Sequence, residues 1–597
     1  MKVSETNGKG RVPIYIYFLG LVLLAGCSAI NPGQQKNLPL AWPVNLPFEK
    51  ILPGTFSNYE VMRYSSEFCH EYLFDISRLS SEGLKMECKK GRSGSGHKPW
   101  LMVRNVKTQR GLAISLAYSG NWRIEVLPQG EDTLFRAATL PESLKPFKAV
   151  NGLPIPGALV AEFEGPWDNG AQPITRFIRA KLLRNLGDDW PWVQYNTWYE
   201  RPHGKRHLLS EEGLIKSARL AAKLGCELFV IDAGWYGQDA SADWNESLGD
   251  WYVNRQRLPN GIEPVAEEVR KLGMKFGMWI EIECANPNSP VGRAHPDWFL
   301  RDGEKLASTR NCLDFGNPEA LAWAIAEIDR MVTTYKLDYI KMDFGTDLTI
   351  DSERYTDQPD PLWRHYRGLV KLWEHTRNKY PELIIENCSS GSLRHDLLTA
   401  AHSDTHWVSD AVKNEDNLIL GFGATYLFPP ETCNHWTCYP NKSSDVMDVE
   451  SCFTATMLGQ MGLSGPATSW NEEICRRAAE RIALYKRIRP VIRNADVYHL
   501  TDQADRKTMN MIQALQYLDR RSDRSVVFAF QGGDARMTIV LKLYGLKPDV
   551  SYRVCMPPSF GPDRFVKGSK LMQDGLDVCF PHKGASAVIQ ISPSRAD

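Results

Sequence analysis

The sequence predicts a multidomain chain in which a central (β/α)8 TIM barrel sits between an N-terminal β-sandwich and a small C-terminal β domain. Three observations predict it. From about residue 190 to 490, strand-like runs alternate with helix-like runs about eight times, as a parallel barrel requires. The flanking stretches are short, alternating segments punctuated by Gly, Pro and Asn, the pattern of all-β domains. The 597 residues exceed the size of one ordinary domain.

The elements follow in chain order. Lys2, Lys9 and Arg11 precede the apolar run "IYIYFLGLVLLAG", which ends before Cys27. A basic region leading into a short apolar stretch is an export signal. Residues 1–27 are therefore expected to be a signal peptide, and "LAGC" resembles the lipobox whose cysteine is lipidated in exported bacterial lipoproteins. Residues 28–44 read as a polar tether. Residues 45–178 carry "LMVRNVKT", "GLAISLAYSG", "NWRIEVLPQ" and "GALVAEFEG", the strands of a β-sandwich. Residues 179–494 form the expected barrel, with strands at 192–198, 226–235, 275–283, 337–345, 382–390 and 405–412. Two weaker candidates lie at 424–429 and 466–470. Helical patterns such as "EEGLIKSARLAAKLG" and "EALAWAIAEIDRMVTTY" separate them. Residues 495–597 return to the β pattern in "RSVVFAFQGG", "RMTIVLKLYG" and "VSYRVCMPP".

Composition narrows the function classes. The 71 basic and 71 acidic residues cancel, which argues against nucleic acid and against an electrostatic membrane surface. The membrane is expected only through the N-terminal lipid anchor. Twelve cysteines follow Cys27 and none forms a CxxC pair, so no zinc ribbon is expected; no ligand cluster has metal spacing, so no metal or other cofactor is expected. Most read as buried thiols, with Cys433 and Cys438 a candidate pair that export would permit. The 18 Trp are what a core uses and also what a sugar site uses.

Chemistry in a barrel collects at the C-terminal ends of the strands, and there these strands turn polar. They end in Asn196 and Trp198; Asp232 and Trp235; Trp279, Glu281 and Glu283; Lys341 and Asp343; Glu386, Asn387 and Cys388; Ser409 and Asp410. There is no HExxH, GxSxG or GxGxxG motif. Asp232, Glu283 and Asp343 offer oxygen ligands to a metal, but Lys341 beside Asp343 would compete with a cation. A neighbouring ammonium instead keeps a carboxylate ionised, so Asp343 is the candidate nucleophile. Asp410, in "HWVSDAV", has apolar neighbours and no adjacent cation; desolvation would keep it protonated, as a general acid requires. Two carboxyl groups in unlike environments are what retaining glycoside hydrolysis needs.

These motifs carry a resemblance. "ELFVIDAGWYG", "SLGDWYVNRQRLPNGI", "FGMWIEIECANPNS", "RNCLDFGNP", "YIKMDFG", "ENCSSGSLRHD" and "HWVSDAV" occur in the order of the corresponding motifs of the melibiase-type α-galactosidases, glycoside hydrolase family 36, which the sequence resembles from about Trp192 to Arg489. The resemblance implies Asp343 as nucleophile and Asp410 as acid/base. It implies sugar contacts at Trp198, Asp232, Trp279, Arg310, Lys341, Cys388 and Gly391, on a terminal α-galactoside of an oligosaccharide or glycoconjugate. Three positions depart from the family pattern: Ala233 stands in place of a second aspartate, so one acceptor for sugar hydroxyls is missing; Met342 stands in place of an aromatic residue, so an aromatic wall of the pocket is expected to be lost; and "SDAVK" continues less acidically after the acid/base. The alternatives are an α-N-acetylgalactosaminidase of the same fold, a transglycosylase using the same residues, and a non-catalytic sugar-binding lipoprotein. The last has no use for two aspartates in place.

Overall fold

The computed structural model describes residues 39–200, 209–355, 359–439, 446–507, 509, 511–533 and 536–594. The expected signal peptide, Cys27 and most of the tether lie outside the described residues.

The central domain is a closed barrel of eight parallel strands: β1 (Gln194–Asn196), β2 (Leu228–Ile231), β3 (Lys275–Ile280), β4 (Tyr339–Met342), β5 (Ile384–Asn387), β6 (Thr405–Trp407), β7 (Cys433–Thr437) and β8 (Gln460–Leu463). β8 pairs back onto β1 through Gln194↔Gly462 and Tyr195↔Leu463. The first intervening helix shows why the chain alternates. Ser210 caps Glu211–Leu224 by accepting from the Gly213 amide, Glu211 and Glu212 sit at its positive end, and Gly225 stops it at φ +97°. Leu214, Ala218, Ala221 and Leu224 recur at three- and four-residue spacing and are buried.

Six of the expected barrel strands fall where the sequence places them. The two weaker ones do not. Residues 424–427 finish the helix Asn414–Leu427, and 467–469 form a single 3-10 turn. The true seventh and eighth strands are "CNHWT" and "QMGL", which turn Asn434, Trp436, Gln460 and Gly462 toward the barrel interior. Gln194 Oε1 accepts from Asn434 Nδ2 and from Trp436 Nε1, both at 2.7 Å, and Asn434 also donates to Glu386 at 2.8 Å. A strand whose buried face is a hydrogen-bonded amide layer shows no apolar alternation.

Two antiparallel sheets make the N-terminal sandwich. The six-stranded one runs Trp42–Val44, Ala158–Glu164, Arg110–Leu116, Gly96–Asn105, Tyr59–Ser66, Leu73–Arg78; the four-stranded one runs Phe48–Leu52, Asp132–Thr139, Trp122–Gln129, Leu84–Cys88. Trp42–Val44 pairs with Ala158–Val160, so the end of the expected tether already belongs to the sandwich. The six-stranded sheet is buried on both faces. Val61, Leu101 and Val103 pack into the sandwich core, while Met62, Trp100 and Met102 join the core shared with the barrel. Double burial explains the unbroken apolar run "WLMV".

The C-terminal domain pairs a six-stranded antiparallel sheet with the two-stranded Thr538–Leu541 and Leu576–Cys579 around its own core. Twelve cysteines are described and all are free thiols. Cys433 and Cys438 do not pair: they bracket one extended strand, and five residues at about 3.3 Å each separate them by roughly 16 Å, well past disulfide reach. Among the described residues no helix is long and apolar enough to cross a membrane, and no cluster of three or more His, Cys, Asp or Glu is placed to hold a metal.

Candidate active site

A cavity of about 410 Å³ opens at the C-terminal end of the barrel, lined by Trp198, Asp232, Trp279, Arg310, Lys341, Asp343 and Asp410. Those are the two catalytic candidates and five of the seven expected contacts. Lys341 and Asp343 reach it because they alternate with Met342 on β4 and just beyond. Met342 points the other way and packs in the core around the barrel. The expectation that Met342 removes an aromatic wall from the pocket is therefore corrected. Ala233 does line the cavity.

Lys341 is buried and donates from Nζ to Asp232 Oδ2 at 3.1 Å. The same Asp232 oxygen accepts from Asn196 Nδ2 at 2.8 Å, and the Asp232 amide donates to Thr197 Oγ1 at 3.0 Å. The ammonium also lies over the rings of Trp436, at 4.4 Å, and Trp407, at 5.4 Å. Asp232 and the two ring faces hold it charged against the cost of burial.

Asp343 is half-buried and surrounded by donors. The amides of Phe344 and Ser390 donate to Oδ1 at 2.7 and 3.1 Å, and Trp279 Nε1 donates to Oδ2 at 3.1 Å. Burial pushes this carboxyl up, but the charge of Lys341, the Cys388 thiol and these N–H groups outweigh it, so it lies below the usual carboxylate range. Asp410 goes the opposite way. Burial pushes it up to about 6, the Asp343 charge adds to this, and the Trp407 indole and Lys341 oppose it. Trp407 Nε1 donates to Asp410 Oδ1 at 2.8 Å and Tyr199 Oη donates to the Asp410 carbonyl at 3.2 Å. One pocket thus holds an ionised carboxylate and a carboxyl that keeps its proton up to about pH 6.

Arg310 faces the cavity over the Trp244 ring, 5.0 Å away, and donates to both oxygens of buried Glu281 at 3.0 and 3.2 Å. Glu281 also accepts from the Gly345 amide at 2.6 Å, so it ties the arginine to the loop after β4. Cys388 and Gly391 stand behind the cavity wall. Cys388 is buried with Tyr199, Trp407 and Trp436, its thiol on Asp343; Gly391 turns at φ +85°. Glu283 is bound to Arg394, at 2.6 and 2.8 Å, and to His365 at 3.1 Å, which leaves it no place in a metal site.

Sequence reasoning missed Tyr199, Trp244 and Ser390, which lie in loops after the strands, and Phe68 and Cys69, which reach the cavity from the N-terminal sandwich. The loop residues were signalled only by proximity to strand ends. Nothing local in the sequence marks the other two.

A family model described as melibiase matches residues 172–495. An α-galactosidase of Escherichia coli is 26% identical over 526 residues, covering 86% of this chain and 72% of its own. α-Galactosidase AgaA of Geobacillus stearothermophilus is 27% identical over 69% of this chain and 58% of its own, and α-galactosidase C of Emericella nidulans 28% over 69% and 55%. The chain thus spans little more than half the length of those last two. Among solved structures, an α-galactosidase from Lactobacillus brevis superposes with a TM-score of 0.81 at 20% identity, covering 92% of this chain and 75% of that one. A substituted AgaA in complex with raffinose gives 0.80 at 21%, covering 92% and 76%. At these identities the structural likeness establishes the three-domain fold.

Proposed function

The chain belongs to the melibiase family, glycoside hydrolase family 36, and from that membership we propose that it is a retaining exo-α-galactosidase working by double displacement through Asp343 and Asp410. The observation that carries this reading is the opposed tuning of the two carboxyl groups in one cavity, Asp343 held down and Asp410 pushed up to about 6. In the first step the Asp343 carboxylate attacks the anomeric carbon while Asp410 gives its proton to the departing glycosidic oxygen. The C–O bond breaks and a covalent glycosyl ester forms. In the second step Asp410, now a carboxylate, takes a proton from water. The water oxygen attacks the same carbon and releases Asp343, so two inversions return the α configuration. Lys341 and Asp232 are suited to sugar hydroxyls, and Trp198 and Trp279 to the walls.

The substrate class is a terminal α-linked galactoside of an oligosaccharide; the raffinose complex of AgaA supports that class. Ala233 in the cavity wall favours one second reading, an α-N-acetylgalactosaminide, because a small apolar residue leaves room where the family pattern has a carboxylate. A panel of aryl α-glycosides with the purified protein tests both: galactoside turnover exceeding all others supports the first reading, and no turnover of any α-glycoside contradicts both. We also infer export and lipid anchoring, from the basic N-terminus, the apolar run and Cys27. Cys27→Ser should abolish processing and membrane association.

A further inference from the structure

We propose that Glu71, supplied by the N-terminal sandwich rather than by the barrel, is a positioning residue for the acid/base: it holds Ser409 and through it sets the orientation of Asp410. The proposal rests on the assignment of Asp410 above. Glu71 sits in the turn between Tyr59–Ser66 and Leu73–Arg78 and is fully buried. A carboxylate is costly to bury unless its oxygens are engaged, and these are engaged at the catalytic loop. Oε2 accepts from the Ser409 hydroxyl at 2.5 Å, and Oε1 from the Cys69 amide at 3.3 Å. The Ser409 oxygen in turn accepts from the Ala411 amide at 3.1 Å. One carboxylate–hydroxyl–amide chain therefore fixes the residues on both sides of Asp410.

Gly391 gives an independent mark of the same contact. A Cβ on it would overlap Glu71 Oε1 and approach the Ser409 Cα to 3.1 Å. The glycine, held at φ +85°, leaves room for this carboxylate to pass between the loops after β5 and β6, quite apart from any sugar. The turn is also part of the site, since Phe68 and Cys69 line the cavity. Lys98, buried on the neighbouring sandwich strand, donates to the Ser392 carbonyl and hydroxyl at 2.6 and 2.9 Å and anchors the other side of that loop.

The charges are accounted for from each side. Asp343 and Asp232 raise Asp410 and Lys341 lowers it, while the thiols of Cys69 and Cys388 feel its charge. Glu71 faces Asp410, Lys98 and the Ser409 hydroxyl; burial pushes Glu71 up and Lys98 down. Glu71 thereby acts first through geometry and second through charge.

The test compares Glu71→Ala, Glu71→Gln, Ser409→Ala and the double variant Glu71→Ala/Ser409→Ala on aryl α-galactosides of graded leaving-group ability. Glu71→Ala should lower kcat about 10- to 100-fold on poor leaving groups, within what general acid catalysis supplies, with little change on good ones and little in KM. Glu71→Gln, which keeps an acceptor for Ser409, should restore most of it. Ser409→Ala should reproduce the loss, and the double variant should be no worse than either single one. A loss equal across leaving groups, or additive losses, would assign Glu71 a merely structural role and overturn the proposal. A substrate-free arm separates this from the activity itself. The infrared band of the carboxylic acid that Asp410→Asn removes should shift its titration midpoint by about half a pH unit or more in Ser409→Ala and Glu71→Ala. An unmoved midpoint overturns the proposal even if the wild-type protein cleaves no galactoside, a result that would by itself count only against the assigned activity.

Discussion

Lys341 on β4 is hydrogen-bonded at 3.1 Å to Asp232, which follows β2 two strands away, and acts on Asp343, two residues along its own chain, through its charge. The lysine thus has two roles that substitution can separate. Both partners of the ion pair are almost fully buried. Lys341→Met should cost about 3–5 kcal/mol, the range for breaking a buried pair by removing one partner. Asp232→Asn in the same chain should recover part of that loss, as read by urea unfolding. Additive destabilisation in the double variant would show the pair is not coupled.

The proposed nucleophile and acid/base should separate by rescue. Asp343→Gly should lose on the order of 10⁴-fold or more in kcat, as removal of a nucleophile does elsewhere. Azide should restore turnover and yield the β-galactosyl azide. Product anomers of the wild-type enzyme, followed by NMR, should appear first as α; initial β release would contradict the retaining assignment.

On the proposed mechanism, Asp410 should set the alkaline limb of the pH profile. A general acid must carry its proton, so activity is present below its pKa and is lost as pH rises through it. With Asp410 pushed up to about 6 and Asp343 held down, kcat/KM should fall on the alkaline side with a midpoint near 6 in the free enzyme. Asp410→Ala should remove that limb and cost about 10²–10⁴-fold on oligosaccharides, far less on aryl glycosides with good leaving groups. A limb that survives the substitution would belong to another residue.

Glu283 predicts the acid stability of the barrel. Burial opposes its ionisation, but Arg394 and His365 outweigh burial and bring it down to about 2. A depressed carboxyl contributes stability above its unfolded value of 4.5 and loses it as pH falls through about 2. That window is worth about 3 kcal/mol. Glu283→Gln should flatten the slope of unfolding free energy between these limits; an unchanged slope would remove Glu283 from the account.

How much of this was legible follows from where each signal lies. β1 to β6 were readable because apolar strands end in conspicuous polar residues, and Asp343 and Asp410 because their neighbours in sequence are also their neighbours in space. β7 and β8 were not, because Asn434 and Trp436 turn inward to donate to Gln194 and Gln460 turns inward to Thr405, which breaks the apolar pattern. Met342 was misread because a strand sends successive side chains to opposite faces, and only its flanking residues see the cavity. Phe68, Cys69 and Glu71 were out of reach: Glu71 meets Ser409 across 338 residues, and no local periodicity encodes a contact between domains.

The proposed choice between glycones can be tested at Ala233. It is nearly buried in the cavity wall beside Asp232 and offers a methyl group where the family pattern has a carboxylate. A pocket built to hydrogen-bond a hydroxyl rejects the analogue lacking it by orders of magnitude, whereas an apolar wall discriminates only about 10- to 200-fold. The wild-type protein should therefore tolerate loss of one galactose hydroxyl within about tenfold in kcat/KM. Ala233→Asp, which restores an acceptor there, should sharpen rejection of that single monodeoxy galactoside to about 10²-fold or more and depress any turnover of α-N-acetylgalactosaminides. A set of monodeoxy aryl α-galactosides assayed on both proteins reads this directly. If the wild type already rejects every monodeoxy analogue strongly, another residue supplies the acceptor and Ala233 does not set the specificity.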